Sequence, residues 1–193
     1  MTKSIIMLII SGGLMVTVPA SANTQTFSVG YAQSKVQDFK HIRGINAQYR
    51  YEWKSSPLSV IGSFTYMKGD DSNSYYDEEG DYYKNHADVK YYSLLAGPAY
   101  RVNDYFSFYG LIGVAHTKAD GGYEWLNSVG SHELDGHESG NLSGKSTNFA
   151  FAAGVQINPT ADFSVNVGYE GSNADIYGKH KIDGFNVGFG YRF

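Results

Sequence analysis

Apolar and polar side chains alternate with a period of two over much of this chain. In one segment Tyr49, Tyr51 and Trp53 alternate with polar residues. A period of two is typical of β-strands, whose successive side chains point to opposite faces. The eight segments with this pattern are 27–32, 45–54, 58–66, 92–101, 105–117, 148–157, 163–170 and 185–193. Segment 105–117 is apolar on both faces, so the pattern leaves its facing open.

The links between these segments alternate in length. Three links, at 54–57, 103–104 and 158–161, are tight turns built of turn-forming residues. The other four contain about ten residues near 34–43, about twenty at 68–87, about twenty-six at 119–144 and about nine near 172–180. Outer-membrane barrels combine short periplasmic turns with long external loops. We therefore predict an eight-stranded antiparallel transmembrane β-barrel with extracellular loops and both termini in the periplasm.

The composition of the two faces supports a barrel in lipid. The polar face carries many glycines and isolated charges, which suits a narrow closed lumen. Aromatic residues gather at strand ends, as at 49–53 and 105–109, which is typical of the aromatic girdles at membrane interfaces. The alternative is a secreted lipocalin-like barrel, in which the apolar face would line a ligand cavity.

The first 22 residues have the pattern of a cleaved signal peptide. Lys3 precedes an apolar run at 5–18, and Ala20-Ser21-Ala22 provides the small residues of a cleavage site. The run is about 14 residues long, too short to cross a hydrocarbon core of roughly 30 Å. We expect residues 1–22 to be removed and residues 23–193 to form the barrel, the alternative being an uncleaved anchor.

Composition excludes several other classes of protein. The 193 residues include 30 aromatic ones, no cysteine and a formal net charge of −4. Such aromatic content argues against disorder, and the absence of apolar runs of roughly 20 residues argues against a helical membrane bundle. A pI near 5.8 provides no basic field for nucleic acid. We expect no cofactor, metal or nucleic-acid ligand.

Five charged residues fall on the face assigned to the lumen: Arg50, Glu52, Arg101, Glu170 and Arg192. Buried charges need partners, because an isolated buried ion costs several kcal/mol. They either line a pore or form a polar plug that fixes strand register. Eight strands enclose only enough space for side chains, so we favour the plug and expect no diffusion porin.

Eight short stretches resemble one known family over nearly all of residues 23–193. They are FSVGY at 27–31, RGIN at 43–46, YRYE at 49–52, AGPAY at 96–100, GVAH at 113–116, AGVQINP at 153–159, VGYEGS at 167–172 and DGFNVGFGYRF at 183–193. Together, and in this order, they resemble the Ail/OmpX/PagC/Lom family of enterobacterial outer-membrane proteins. Residues 27–39 are most similar to its PagC branch.

The resemblance implies a monomeric surface protein that acts in adhesion, invasion or serum resistance. Its implied partners are lipopolysaccharide and host matrix proteins or complement regulators. Resemblance to the OmpX branch leaves open a structural or envelope-stress barrel without a host ligand. Asn186, Gly188, Tyr191 and Phe193 resemble the signal for the barrel-assembly machinery, the alternative being an ordinary last strand that ends in Phe.

Three enzyme-like features are weak, and we predict no catalytic activity. His132 and His137 are five residues apart in a glycine-rich stretch, whereas the zinc-protease signature requires a spacing of four on a helix. His137 and Ser139 resemble the pair of a lipid A deacylase, but nothing visible holds the histidine as a base. A palmitoyl-transferring barrel needs a helix before its first strand, and there is no room for one between 23 and 26. A lipid-modifying enzyme is therefore the most distant alternative.

The long links provide the candidate ligand-binding residues. Residues 68–88 around the second link have seven acids against two lysines, residues 118–145 around the third have five acids against two lysines, and residues 35–43 in the first have three bases against one acid. Aromatics among polar residues are typical of protein-binding surfaces, although they also suit strands extended above the membrane. The candidates are Tyr75, Tyr76, Asp77, Glu78, Glu79, Asp81, Tyr82, Tyr83, Tyr123 and Trp125. Lys35, Lys40 and Arg43 are candidates for contacts with lipopolysaccharide phosphates.

Overall fold

A computed structural model describes residues 23–37, 39–76, 81–129 and 133–193. The expected signal peptide at 1–22 and the candidates Asp77, Glu78 and Glu79 lie outside these residues. The strands are β1 (Thr24–Val36), β2 (His41–Glu52), β3 (Leu58–Tyr76), β4 (Tyr82–Arg101), β5 (Phe106–Val129), β6 (Glu133–Ile157), β7 (Phe163–Asp175) and β8 (Lys179–Arg192). No helix in the described part of the chain is long and apolar enough to cross a membrane.

The eight strands form one closed antiparallel barrel in sequence order. β1 closes the barrel against β8, with Thr26 opposite Arg192 and Val36 opposite Ile182. Closure gives each strand two neighbours, so backbone groups that face lipid are paired within the sheet. The predicted eight-stranded antiparallel barrel is confirmed.

The apolar face of the barrel points outward. Phe27, Leu94 and Phe189 are 45%, 65% and 71% exposed, whereas Ser28 and Asn46 on the opposite face are buried. This arrangement suits a wall in contact with lipid and excludes the lipocalin-like alternative. In the segment that the pattern left open, the odd-numbered positions face the lumen, so that a tyrosine and a leucine fill the interior of β5.

The residues expected in two long loops are largely strand. β3 and β4 pair as far as Tyr76 opposite Tyr82, and β5 and β6 pair as far as Val129 opposite Glu133. The alternating pattern disappears here because neither face contacts lipid or a core. Cross-strand aromatic pairs and ladder hydrogen bonds maintain the strands without that pattern.

These hairpins form a four-stranded sheet, the sheet extension, that continues beyond the barrel. It consists of 69–76 in β3, 82–89 in β4, 119–129 in β5 and 133–145 in β6. β2 pairs with β3 only as far as Lys68, and β7 pairs with β6 only as far as Ala150. Among the described residues, both outer strands of the sheet extension therefore lack a neighbouring strand on one side. The opposite end of the barrel, with the three tight turns and both ends of the described chain, is called the short-turn end below.

Glycine allows close approach of neighbouring strands at the barrel wall. A Cβ atom on Gly30 would overlap the backbone of Val187 and Gly188 in β8. By contrast, a Cβ on the outward-facing Gly62 would meet nothing within 4 Å. Gly30 is therefore required by strand packing, whereas Gly62 is not.

Candidate functional site

The lumen at the short-turn end contains a group of four charged residues, called the basic cluster: Arg50, Arg101, Arg192 and Glu52. The Glu52 carboxylate forms ion pairs with all three guanidinium groups. Its Oε1 lies 3.1 Å from Arg50 Nη2 and 3.8 Å from Arg101 Nη1, and its Oε2 lies 3.3 Å from Arg192 Nε. Arg50 is 1% exposed and its Nε donates to Ser59 Oγ at 2.9 Å. β2, β4 and β8 are thus joined through one carboxylate.

The fifth predicted lumen charge, Glu170, lies in a separate group. Tyr91 Oη donates to Glu170 Oε1 at 2.7 Å, and Thr65 Oγ1 donates to Oε2 at 2.9 Å. No lysine, arginine or histidine in the described part of the chain forms an ion pair with this carboxylate. The expectation that lumen charges are paired therefore describes the basic cluster, while hydroxyl donors satisfy Glu170 instead.

Side chains fill the lumen between and beyond these two groups. Hydrogen bonds join opposite walls, as from Asn166 Nδ2 to Ser28 Oγ at 2.7 Å. Large side chains that are at most 2% exposed include Arg50, Ile61, Met67, Tyr91, Leu95, Leu111 and Ile182. This packing favours a plug over a pore.

The outer surface carries rows of like side chains that cross several strands. Tyr66 and Tyr92 form an aromatic row, with ring centroids 5.0 Å apart. Two residues further from the short-turn end is the basic row, in which each member lies opposite the next on the neighbouring strand: Arg43, Lys68, Lys90, Lys118 and Lys145. Two residues beyond it lies an acidic row, Asp70, Asp88 and Asp120. Two ion pairs connect the rows, Lys68–Asp88 at 3.6 Å and Lys118–Asp120 at 2.8 Å.

Sequence reasoning identified Arg43 but missed the four lysines of the basic row. They are 22 to 28 residues apart along the chain, so no local charge run marks them. The available signal was their position: each lysine lies two residues beyond the row that contains Tyr66 and Tyr92, on the same outward face of its strand. Only the cross-strand register shows that these positions are neighbours.

The three proposed lipopolysaccharide contacts do not form one patch. Arg43 belongs to the basic row, and Lys35 is exposed on β1 opposite Asp183 in β8. Lys40 lies between β1 and β2, where its Nζ contacts Asp71 Oδ1 at 2.6 Å. Lys40 therefore binds the edge of the sheet extension in this structure.

The candidate aromatics are divided between the two faces of the sheet extension. On the inner face, which continues the lumen surface, Tyr75 stacks on Tyr83 with ring centroids 5.1 Å apart, and Trp125 lies opposite Tyr83. On the outer face Tyr76 contacts Tyr82 at 5.0 Å. The two pairs therefore present contact surfaces on opposite faces of the sheet extension.

Polar contacts hold two of the inner-face aromatics. Trp125 Nε1 donates to Asp81 Oδ2 at 3.1 Å, and Asp81 is buried instead of lying free in solvent. Tyr123 Oη donates to Glu138 Oε1 at 3.2 Å. This hydrogen bond and the charge of Glu138 raise the pKa of the Tyr123 phenol.

The residues of the proposed assembly signal lie on β8 where it closes the barrel. Asn186 and Gly188 face the lumen, and Tyr191 and Phe193 face outward. Gln25 and Phe193 exchange two backbone hydrogen bonds of 2.8 Å, and Tyr191 contacts Phe163 with centroids 5.9 Å apart.

The enzyme-like residues lie on exposed strand surface. His137 Nε2 is 3.4 Å from Glu124 Oε1, and both side chains are substantially exposed. Ser139 is exposed on the same strand, while His132 lies outside the described residues. In the described part of the chain no group of three or more His, Asp or Glu side chains is arranged to hold a metal ion.

Comparisons with known proteins agree over most of the chain. The model of the enterobacterial Ail/Lom protein family matches residues 1–193. The virulence membrane protein PagC of Salmonella typhimurium is 48% identical, over 99% of this chain and 100% of that protein. Outer membrane protein X of Escherichia coli K12 is 36% identical, over 89% of this chain and 87% of that protein.

The fold comparison gives the same result. The crystal structure of Ail, the attachment invasion locus protein of Yersinia pestis, has a TM-score of 0.65 and 35% identity, covering 89% of this chain and 99% of that one. The structure of Ail with the heparin analogue sucrose octasulfate also has a TM-score of 0.65, with 34% identity and the same coverage.

Proposed function

This chain belongs to the enterobacterial Ail/Lom family of outer-membrane proteins, and we propose that its sheet extension binds host proteins outside the cell. The observation that carries the proposal is the inner-face aromatic group of Tyr75, Tyr83, Tyr123 and Trp125, which we call the aromatic patch. The relatives named for virulence and for attachment and invasion support a role in adhesion, invasion or serum resistance. Host matrix proteins and complement regulators are the partners we propose.

The physical properties of the sheet extension suit a protein ligand. Tyrosine and tryptophan bury a large area at small cost in side-chain entropy, which is why binding surfaces use them. The two outer strands, at 69–76 and 133–145, also expose backbone groups to which an extended peptide can add as a further strand. The acidic residues of the second link favour basic partner surfaces and salt-sensitive association.

The proposal also covers the processing, the membrane orientation, the oligomeric state and the assembly of the chain. We propose that the signal peptide at 1–22 is removed, that both ends of the mature chain lie in the periplasm, and that the barrel is a monomer. Asn186, Gly188, Tyr191 and Phe193 would guide assembly, because β8 is the strand that closes against β1.

We propose no catalytic activity, since His137 is an exposed group paired with Glu124.

A segment replacement and two double variants test the binding proposal. Folded protein is screened against matrix proteins and complement regulators, first intact and then with residues 70–88 replaced by a short turn. The replacement should abolish binding and leave the heat-modifiable barrel intact, because the register of β2 against β3 ends at Lys68. Tyr75→Ser with Tyr83→Ser should mainly raise the dissociation rate.

The matched control is Tyr76→Ser with Tyr82→Ser, which removes the same two phenols from the outer face. It should bind nearly as well as the intact protein if the aromatic patch is the binding surface. Equal loss in both variants would assign binding to both faces. A further measurement compares adhesion and serum survival of cells carrying the barrel without either long hairpin. Values equal to those of wild type would favour the alternative function, a structural barrel without a host ligand.

The basic row supports a second function, contact with the phosphates of lipopolysaccharide. Its five cations lie side by side just beyond the outer aromatic row, where anionic groups of the outer leaflet would meet the barrel. The related Ail crystallised with sucrose octasulfate provides a precedent for a polyanion. Lysine and arginine bind such groups through charge-assisted hydrogen bonds.

Charge-matched variants test this second function. Replacing Lys68, Lys90 and Lys118 with Gln should reduce the lipopolysaccharide that copurifies with the barrel. The control replaces Lys54, Lys84 and Lys179 with Gln, which removes the same charge from positions outside the row. Equal copurification by both variants would exclude a specific role for the basic row.

A further inference from the structure

The basic cluster contains more positive charge than its surroundings balance. Arg50, Arg101 and Arg192 share the single carboxylate of Glu52. In the described part of the chain no other carboxylate lies within 4.0 Å of these three guanidinium groups. Arg50 is 1% exposed and Glu52 3% exposed, so water screens them weakly. A net charge of two positive units therefore lies in the lumen at the short-turn end.

The same layer of the lumen contains hydrogen-bond donors without acceptors. Arg50 Nη1 has no hydrogen-bond partner among the described residues. Thr26, which lies opposite both Arg50 and Arg192, has an unpartnered hydroxyl, as does Ser107 opposite Arg101. Leaving a buried charged group unsatisfied costs more than leaving a neutral one unsatisfied. Unpartnered hydroxyls also occur elsewhere in the described lumen, as at Ser93 and Thr117, but only this layer combines them with an unpartnered guanidinium nitrogen.

We propose that the basic cluster binds a small inorganic anion of the size of chloride. The anion supplies the missing negative charge and accepts hydrogen bonds from the guanidinium and hydroxyl donors of this layer. Its route is the short-turn end, where the Arg101 and Arg192 side chains are 26% and 15% exposed. The site lies inside the barrel and is independent of the function proposed for the sheet extension.

Chloride NMR of the folded barrel in detergent micelles tests the proposal. The chloride-35 line should broaden in proportion to folded protein, and added bromide should reverse the broadening by competition. Arg101→Gln should bind chloride about tenfold more weakly, the factor expected for loss of one charge-assisted hydrogen bond. The matched control, Lys179→Gln, removes one positive charge from an exposed position at the far end of β8 and should behave like the wild type.

A second variant has the opposite expected sign. Glu52→Gln removes the competing carboxylate, so the remaining cations should bind chloride more tightly than the wild type does. The midpoint temperature of unfolding of Glu52→Gln should rise with chloride concentration more steeply than that of the wild type or of Glu170→Gln. All three are compared at equal ionic strength. A plug of merely structural role gives no reason for tighter binding after a destabilising change.

The outcomes separate cleanly, since folding of each variant is checked by heat-modifiable migration. Diffraction from crystals grown in bromide should show an anomalous peak beside Arg50 and Arg192. Competable broadening that is weakened in Arg101→Gln and strengthened in Glu52→Gln supports the site. Absence of competable broadening in the wild type, or equal broadening in Arg101→Gln and Lys179→Gln, overturns it.

Discussion

The barrel and the sheet extension are built partly from the same strands, yet different forces maintain them. Inside the barrel, β3 to β6 have polar groups buried in a closed lumen and apolar side chains facing outward. In the sheet extension the same strands have charged and aromatic side chains on both faces, and the two outer strands lack neighbours. The strand ladder continues from one region to the other, but burial does not.

This difference shows where substitutions are tolerated. In the lumen a charged group depends on a small number of partners from distant strands, as Glu52 does. In the sheet extension the carboxylate of Glu138 contacts Tyr123 on the neighbouring strand and is exposed. The sheet extension is therefore free to vary in sequence while the barrel beneath it remains folded.

Removing a carboxylate from each region should give the largest difference in the free energy of unfolding. Glu52→Ala leaves three guanidinium groups without their shared partner, and breaking a buried ion pair typically costs about 3–5 kcal/mol. Glu138→Ala breaks an exposed hydrogen bond and should lower the free energy of unfolding far less than Glu52→Ala does. Urea unfolding of the barrels in vesicles measures both. Similar losses for the two variants would contradict the contrast between buried and exposed charge.

Adding one methyl group to each of two wall glycines should give the next largest effect. Gly30→Ala forces apart β1 and β8 at their backbones and should cost about 1–3 kcal/mol, the usual range for overpacking. Gly62→Ala meets no atom and should be neutral or slightly stabilising, because alanine has less conformational freedom in the unfolded chain. The folded fraction on a gel without boiling compares them. A neutral Gly30→Ala would mean that β8 is not held this closely to β1.

The last strand should affect assembly more than stability. Phe193→Ala, alone or with Tyr191→Ala, should lower the amount of folded barrel in the outer membrane, because it removes the aromatics of the proposed assembly signal. Phe163→Ala is the control, since it removes the aromatic neighbour of Tyr191 without changing the C-terminus. Equal yields of wild type and Phe193→Ala in the outer membrane would show that the terminal Phe is not recognised.

The smallest expected effect is a titration in the sheet extension. The Tyr123 pKa is raised by its hydrogen bond to Glu138, so this pair favours the folded state below about pH 10, where a free tyrosine is protonated. That contribution is lost as the pH rises through the folded-state pKa. Glu138→Gln should lower the pKa, whereas Glu124→Gln should not, measured as the difference in ultraviolet titration against Tyr123→Phe. High salt should reduce the shift of this exposed pair.

The alternating pattern alone determined much of the barrel. In a strand whose outward face meets lipid and whose inward face meets a polar lumen, residue identity follows position with a period of two. Arg50, Glu52 and Glu170 were therefore assigned to the lumen side of their strands from the pattern. The same pattern located the three tight turns, because strands end where it stops and turn-forming residues begin.

Pairing between distant strands was decided only by the tertiary structure. The pattern is local, whereas the register of one strand against the next depends on the fold of the whole barrel. Nothing in the sequence indicated that Glu52 would form ion pairs with three arginines while Glu170 would form none with the described residues. The basic row is similarly invisible along the chain, although Lys68 and Lys90 lie opposite each other.

The sheet extension and the facing of β5 also required the tertiary structure. Where both faces meet water, a strand has no apolar side and its sequence resembles that of a loop, so the residues around Tyr75 and Tyr83 were assigned to a link. Where both faces are apolar, as in β5, only the closed barrel decides that Tyr109 points inward and Phe108 outward. A period of two reports a difference between two environments, and it is lost wherever the environments, or the residues that occupy them, are alike.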